Sequence, residues 1–361
     1  MIFNSSNLLF YLIEKGLITR EAAVDGPLLI VDASSRNRNF KVLAPEGGGV
    51  FVKQAQEWDA VSLSLLEREA TTYRLAETDR AFESLADLVP RLHRYDQARH
   101  ALVVDLLEDG EDLSVFHRRV GRFPVDAAAQ LGQALAAFHH IQLNGHSDRF
   151  PQIPPWVLSA DQLKNDAPSD HGTANEQVLQ IIAQYPEFHR HLAAIRGQWQ
   201  QNSFIHGDMK WENCLLRHAN DRPEFRIIDW ETADIGDAAW DTGAIFQAYL
   251  TFWIMSIPVD GSGSLSQLLD QARYPIEAMQ PAIAAFWQSY AAALHPLERQ
   301  QHLLRATNYA AVRMCQTAYE YMAHSPQITL NGLGLLQVSM NMLEDPLAAA
   351  AELLSLEIHG G

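Results

Sequence analysis

Three polar residues constrain this chain most: Asp208, Asn213 and Asp229. The run reads His206, Gly207, Asp208, Met209, Lys210, Trp211, Glu212, Asn213, and resumes at Asp229, Trp230, Glu231. They fall between a helical stretch and two strand-like runs, so a fold that uses them together has to bring a loop and the strand after it to one place. In-line transfer of a phosphoryl group asks for a partner to the attacking hydroxyl and hard ligands for magnesium, and an acid, a side-chain amide five residues on and a second acid on the next strand can supply them. Asp208 is the candidate partner of the attacking hydroxyl, orienting it and taking its proton. Asn213 offers a neutral carbonyl oxygen and Asp229 an anionic one, hard ligands of the kind magnesium takes. Lys210 reads either as a mobile cation that reaches the transferring phosphate or as a solvated lysine. His206 reads as an imidazole that holds the loop, Trp211 as packing, and Glu231 as an assistant to a metal or to the loop.

The rest of the chain divides by pattern. An amphipathic helix is expected over 6–23, then strands over 28–32, 39–43 and 50–54, with a hairpin turn at Gly47, Gly48 and Gly49 between the last two. A helix over 62–77 and a strand over 102–107 follow, ending in the turn Glu108, Asp109, Gly110. Beyond Asp112 the signal is helical: 125–141, 175–198, 238–252, 281–293, 297–323 and 330–356, with Pro346 expected to split the last. Asp237 and Asp241 read as acids capping the start of the helix that follows them. Two domains are expected, an N-terminal one over 1–107 and a helical one over 108–361.

With 361 residues, 47% hydrophobic and 20% charged, the chain can bury a sizeable core and is too apolar for a disordered one. A formal charge of -17 argues against nucleic acid or an anionic membrane as partner. It suits a cationic substrate, or is simply a soluble acidic surface. Cys214 and Cys315 are the only cysteines and show no CxxC spacing, which points to neither a disulfide framework nor zinc and to a reducing cytoplasm. The apolar run 8–13 is interrupted by Glu14 and Lys15 and lacks the marks of a secretory signal, and no run approaches the roughly 18 to 20 apolar residues that span a bilayer.

His206, Gly207, Asp208 with Asn213, then Ile228, Asp229, Trp230, Glu231, then Ile235, Gly236, Asp237, Ala238, Ala239, Trp240, Asp241 resemble three consecutive signatures of the aminoglycoside phosphotransferase (phosphotransferase enzyme) family. The likeness runs from about residue 27 to 320. It implies an α+β, bilobal, protein-kinase-like fold, with a small β-rich N-lobe carrying one helix and a larger helical C-lobe. By the same resemblance, Lys53 in its apolar strand is the lysine that grips α- and β-phosphates, and Glu69 is its ion-pair partner, with Glu67 as the alternative. Ser34, Ser35 and Asn37 occupy the place of the nucleotide-covering loop, without G-x-G-x-x-G, and Leu107 that of the hinge. The implied cofactors are ATP and Mg2+.

The implied activity is transfer of the ATP γ-phosphate to a hydroxyl of a small molecule, amines among the options. Lys210 and Trp211 depart from the family's usual residues, however, and resemble the Asp-Leu-Lys-Pro-Glu-Asn run of Ser/Thr protein kinases. A Ser or Thr of a peptide is therefore the alternative acceptor, although no D-F-G segment is present and no A-P-E follows Asp229. A nucleotide-binding pseudokinase scaffold is the third reading; no motif indicates a protein partner.

Overall fold

A computed structural model describes residues 1–26, 28–34, 37–44, 48–143, 145–162, 173–219, 222–258, 271–323 and 325–357. Strands β1 (Leu29–Asp32), β2 (Arg38–Leu43), β3 (Val50–Gln54), β4 (Leu92–Asp96) and β5 (Ala101–Asp105) form an antiparallel sheet of order β1-β2-β3-β5-β4. Val50 and Val52 of β3 turn one way, into a core with Phe40, Val42, Val103 and the lead-in helix residues Leu8, Tyr11 and Leu12. Burying each such large apolar side chain contributes about 1.5–3 kcal/mol. A strand's side chains alternate, so Lys53 points to the opposite face, where it meets helix α3 (Ala60–Thr78).

Local signals explain most of the element ends. Helix α1 (Ser5–Glu14) begins on an Asn4/Asn7 capping box and stops before Gly16, whose φ of +68° suits glycine, so the expected helix 6–23 is two, with α2 at Arg20–Asp25. The Asp59 carboxylate accepts the amides of Val61 and Ser62 and starts α3. The register Val42↔Val50 makes the β2–β3 connection a hairpin, as expected, although residues 45–47 of its turn lie outside the described residues.

By its contacts the chain forms two units, Met1–Asp112 with Asn213–Ala233, and Leu113–Glu212 with Asp234–Gly361. This differs from the expected division into 1–107 and 108–361. The short β6 (Glu111–Asp112) pairs with β8 (Cys214–Ala219), which pairs with β9 (Arg222–Ile227), and the Ile227 amide donates to the Leu88 carbonyl. The 213–233 hairpin therefore belongs with the N-terminal unit, in a three-stranded sheet of its own with β6. Helix α4 (Glu83–Ala86) leads into Leu88.

The second unit is helical: α5 (Leu113–Val120), α6 (Val125–His139), α7 (Ala174–Gln184), α8 (Pro186–Arg196), α9 (Ala238–Met255), α10 (Gln280–Ala291), α11 (Pro296–Tyr321) and α12 (Leu330–Glu344), with a small β7 (Ser203–Ile205)/β10 (Asp234–Gly236) pair. Proline at 186 has no amide to donate and holds Tyr185 extended, which breaks the single helix expected over 175–198. Pro346 ends the last expected helix in the same way. Helix α9 is apolar all round and buried on nearly every side. Gly243 lets α11 lie against it, since a Cβ there would come within 2.5 Å of the Ala306 carbonyl oxygen. No helix among the described residues is long and apolar enough to cross a membrane.

Two buried imidazoles make this unit acid-sensitive. Burial pushes His117 down to about 4 and His302 well below the usual histidine value, and His117 Nδ1 donates to the Arg122 carbonyl at 3.0 Å in its neutral form. Because the unfolded chain takes up these protons first, the stability from neutral imidazoles is present above about pH 6.5 and is lost as the pH falls towards 4. Melting temperature is expected to drop progressively across that window. His117→Asn, which keeps an N–H donor and cannot titrate there, should show a shallower drop; identical slopes for the two proteins would refute the assignment.

Candidate active site

In the N-terminal unit, Lys53 is the centre of a buried charge cluster. Its Nζ lies 2.8 Å from Glu69 Oε2, 2.6 Å from Asp229 Oδ1 and 2.7 Å from Glu231 Oε2. Glu69 shares the buried face of α3 with Leu66, Ala70 and Tyr73, at helical spacings of three and four, while Glu67 faces solvent. That geometry decides the pairing left open by sequence. Tyr73 Oη donates to the second Glu69 oxygen at 2.9 Å and holds the carboxylate in place.

Burial disfavours charge on Lys53, but Glu69, Asp229 and Glu231 overcome it and hold the ammonium well above the usual lysine range. Burial likewise pushes the Glu69 carboxyl up, and Lys53 opposes it. One ammonium against three carboxylates leaves two negative charges in excess, and oxygens of all three acids lie within 4.8 Å of one another. That donor set has the chemistry a hard divalent cation takes.

The β8–β9 hairpin sets the positions of Asn213 and Asp229. Ile228 donates its amide to the Asn213 carbonyl at 3.0 Å, Cys214 pairs with Ile227, and Asn213 is buried. Asp229 itself is left-handed, φ +65°, a conformation that short polar side chains tolerate. Trp230 fixes the turn by donating Nε1 to the Ile227 carbonyl at 2.8 Å.

The remaining nucleotide-side expectations are placed unevenly. Ser34 is spent locally, its amide donating to Asp32 and its hydroxyl accepting from the Asn39 amide. Asn37 forms the bend before β2. Ser35 lies outside the described residues. Leu107 follows β5, and its carbonyl accepts the Gly110 amide at 3.2 Å.

In the helical unit, the loop bearing Asp208 is held from several sides. Asp241 is fully buried, and its carboxylate accepts the His206 amide at 2.6 Å, the Gly207 amide at 3.0 Å and His139 Nε2 at 3.2 Å. Burial works against that charge, but these hydrogen bonds prevail and hold the carboxyl below its usual range. His139 in turn meets Tyr290 Oη through Nδ1 at 2.9 Å. Gly207, at φ +82°, makes the turn, with its carbonyl accepting Trp240 Nε1, and the Asp208 amide donates to His206 Nδ1. Of the two acids expected to cap α9, Asp237 does so, through the Ala239 amide, whereas Asp241 clamps the loop instead.

Lys210 Nζ is 2.7 Å from Asp208 Oδ2, and Arg313 reaches the other oxygen at 3.5 Å while donating to the Met209 carbonyl. Arg313 stacks over Trp240, 4.8 Å from the ring centre. It comes from α11, 105 residues downstream, and no sequence pattern announced it. Trp211 is 2% exposed and packs among His117, Tyr249 and Phe252. Asp208, Lys210, Trp211 and Arg313 line one pocket of about 240 Å³ in this unit.

A β-rich sheet carrying a Lys–Glu pair, followed by a helical unit with an anchored acid loop, is the protein-kinase-like fold. The model of the phosphotransferase enzyme family matches residues 30–261, more than half the chain. The chain belongs to that family and is a phosphotransferase. Among solved structures it resembles a Plasmodium vivax ethanolamine kinase at 14% identity (94% of this chain, 89% of that one, TM-score 0.60). It also resembles the GDP complex of aminoglycoside 2′-phosphotransferase-IIIa at 12% identity (94% and 99%, TM-score 0.57). A Cryptosporidium parvum choline kinase is similar at 12% identity (97% and 98%, TM-score 0.56). At these identities the likeness concerns the fold alone. No curated protein sequence matches the chain.

Proposed function

We propose that this protein transfers the γ-phosphate of ATP to a hydroxyl of a small molecule, with Asp208 as the base. The observation that carries the reading is the setting of Asp208: a carboxylate on a clamped loop, at the wall of a pocket of about 240 Å³. A compact pocket lined by separate polar side chains favours a small acceptor. Its charged lining pairs Asp208, Glu212 and Glu320 with Arg118, Lys210 and Arg313, so charge alone does not select an amine. Ser114, Gln247, Thr251 and Thr317 favour an acceptor with several hydrogen-bonding groups.

Asp208 orients the acceptor hydroxyl and takes its proton, and Lys210, already at its oxygen, is the cation for the transferring phosphate. Lys53, held by Glu69, binds the nucleotide phosphates. Asn213 and Asp229 would hold Mg2+, with Glu231 as a further acid at the same place; bound there, the ion supplies charge neutralisation to the phosphate oxygens. The two cysteines are buried and free, which suits a reducing cytoplasm as the place of action.

The test is γ-phosphate transfer from ATP and Mg2+ to a panel of amino alcohols, sugars and hydroxy acids, beside Ser/Thr peptides. Turnover is expected with a member of the small-molecule panel. Transfer to peptides alone would shift the acceptor, and nucleotide binding without turnover on either panel would make the chain a scaffold.

A further inference from the structure

In a chain of formal charge -17, three arginines line one concavity of about 520 Å³ in the N-terminal unit. Arg91 comes from the approach to β4, Arg217 from β8 and Arg226 from β9. Val89, Pro90 and Leu107 supply an apolar wall. Two acids share the lining, and both are engaged: Glu77 accepts the Leu92 amide at 2.8 Å, and Asp105 lies 2.6 Å from His93 Nε2.

The guanidinium donors are far less satisfied. Arg217 Nη2 meets Asp109 at 2.9 Å, but its Nε is buried without a hydrogen-bond partner. Arg226 gives one N–H to the Phe225 carbonyl at 3.0 Å and stands 3.9 Å from Glu224. Their side chains are only 29% and 21% exposed. A guanidinium carries five N–H donors, so among the described residues most of those on this pair lack a protein acceptor. The three guanidiniums share the hollow with the carboxylates of Glu77 and Asp105, and what an anion would gain there is the open N–H donors of the arginines.

We infer that this concavity binds a small phosphate ester, its phosphate on Arg217, Arg226 and Arg91 and its carbon part on Val89 and Pro90. A tetrahedral dianion presents three oxygens to arginines converging from three segments, where a carboxylate presents two. The hollow is framed by Glu77 near the end of α3, which carries Glu69, and by β9, which leads to Asp229. Occupancy therefore bears on the Lys53 cluster of the same unit, and the site regulates nucleotide binding. The inference does not depend on the acceptor chemistry proposed above.

Calorimetric titration with glycerol 3-phosphate, and with inorganic phosphate beside it, tests this on the full chain. The ester should bind both the wild type and Lys53→Met, its affinity for the variant shifted by the same coupling but not lost, because its arginines are separate from the nucleotide lysine. Arg217→Gln/Arg226→Gln should weaken it about tenfold or more for lost charge-assisted bonds, and the exposed Arg91→Gln, which leaves the half-buried pair intact, by several-fold. ATP titrated into ester-saturated protein should show an apparent affinity shifted at least threefold. Failure of the wild type to bind the ester, binding of inorganic phosphate alone, unchanged affinity in the arginine variants, loss in Lys53→Met or an unshifted ATP affinity each overturns the proposal.

Discussion

Asp208→Asn is expected to lower kcat by about 10²- to 10⁴-fold, the range that a positioned general base supplies, while leaving nucleotide binding and folding in place. The amide keeps the size of the side chain and can still accept from Lys210, but it cannot take the proton of the acceptor hydroxyl. Asp208 is 28% exposed and its pair with the open Lys210 is worth about 1 kcal/mol or less, while the amide oxygen of asparagine can still accept from the buried Arg313, so little stability should be lost. A rate deficit without a stability deficit is therefore the signature. It is read by comparing single-turnover phosphate transfer, nucleotide titration and thermal melting for the two proteins. If the variant transfers phosphate within a few-fold of wild type, Asp208 only positions the acceptor and the proton leaves by another route. Lys210→Ala separates the neighbour's contribution: a cation that meets the transferring phosphate affects kcat, whereas a solvated lysine changes neither rate nor melting.

The residues on either side of that prediction show what could be read beforehand. Lys53 was singled out by the family resemblance and its apolar strand context, a local pattern that Lys41 shares in part. The choice between Glu67 and Glu69 was not, because it depends on which stripe of α3 is buried, and only the packed helix shows that. Short elements also escaped: β7 and β10 are three residues each, too brief for an alternating pattern to stand out. The attachment of 213–233 to the N-terminal unit rests on the Ile227 amide meeting the Leu88 carbonyl and on the β6–β8 pairing. No nearest-neighbour rule encodes those contacts. Arg313 was invisible for the same reason, and Asp241 was misleading, since an acid in the first turn of a helix usually answers to the helix end itself.

Asp241→Asn is expected to lose both stability and rate. The carboxylate is fully buried and every hydrogen bond described for it is accepted from a donor: two backbone amides and His139 Nε2. An asparagine offers one oxygen and turns an N–H2 towards the remaining donors, so at least one buried pair must be broken or left unmade. Leaving a buried donor unmet typically costs about 1–3 kcal/mol, and more where the bond lost was to a charged group. That is a large fraction of the roughly 5–15 kcal/mol by which domains are stable. At about 2–4 °C per kcal/mol, the melting temperature should fall by several degrees or more. The surviving folded protein should also turn over slowly. The His206 and Gly207 amides fix the backbone one residue before Asp208, and a displacement of about 1 Å at a reacting group can cost on the order of 10²-fold. The Lys53 cluster is built within the other unit, so ATP affinity should stay near wild type at temperatures where the variant is folded. His139→Gln supplies the graded case, since it leaves both backbone amides on the carboxylate and removes only the imidazole; its losses should fall between wild type and Asp241→Asn. Were Asp241→Asn to melt with the wild type and keep its rate, the loop would be held by Trp240 and Arg313 through the Gly207 and Met209 carbonyls, and the buried acid would be no more than a packed residue of α9.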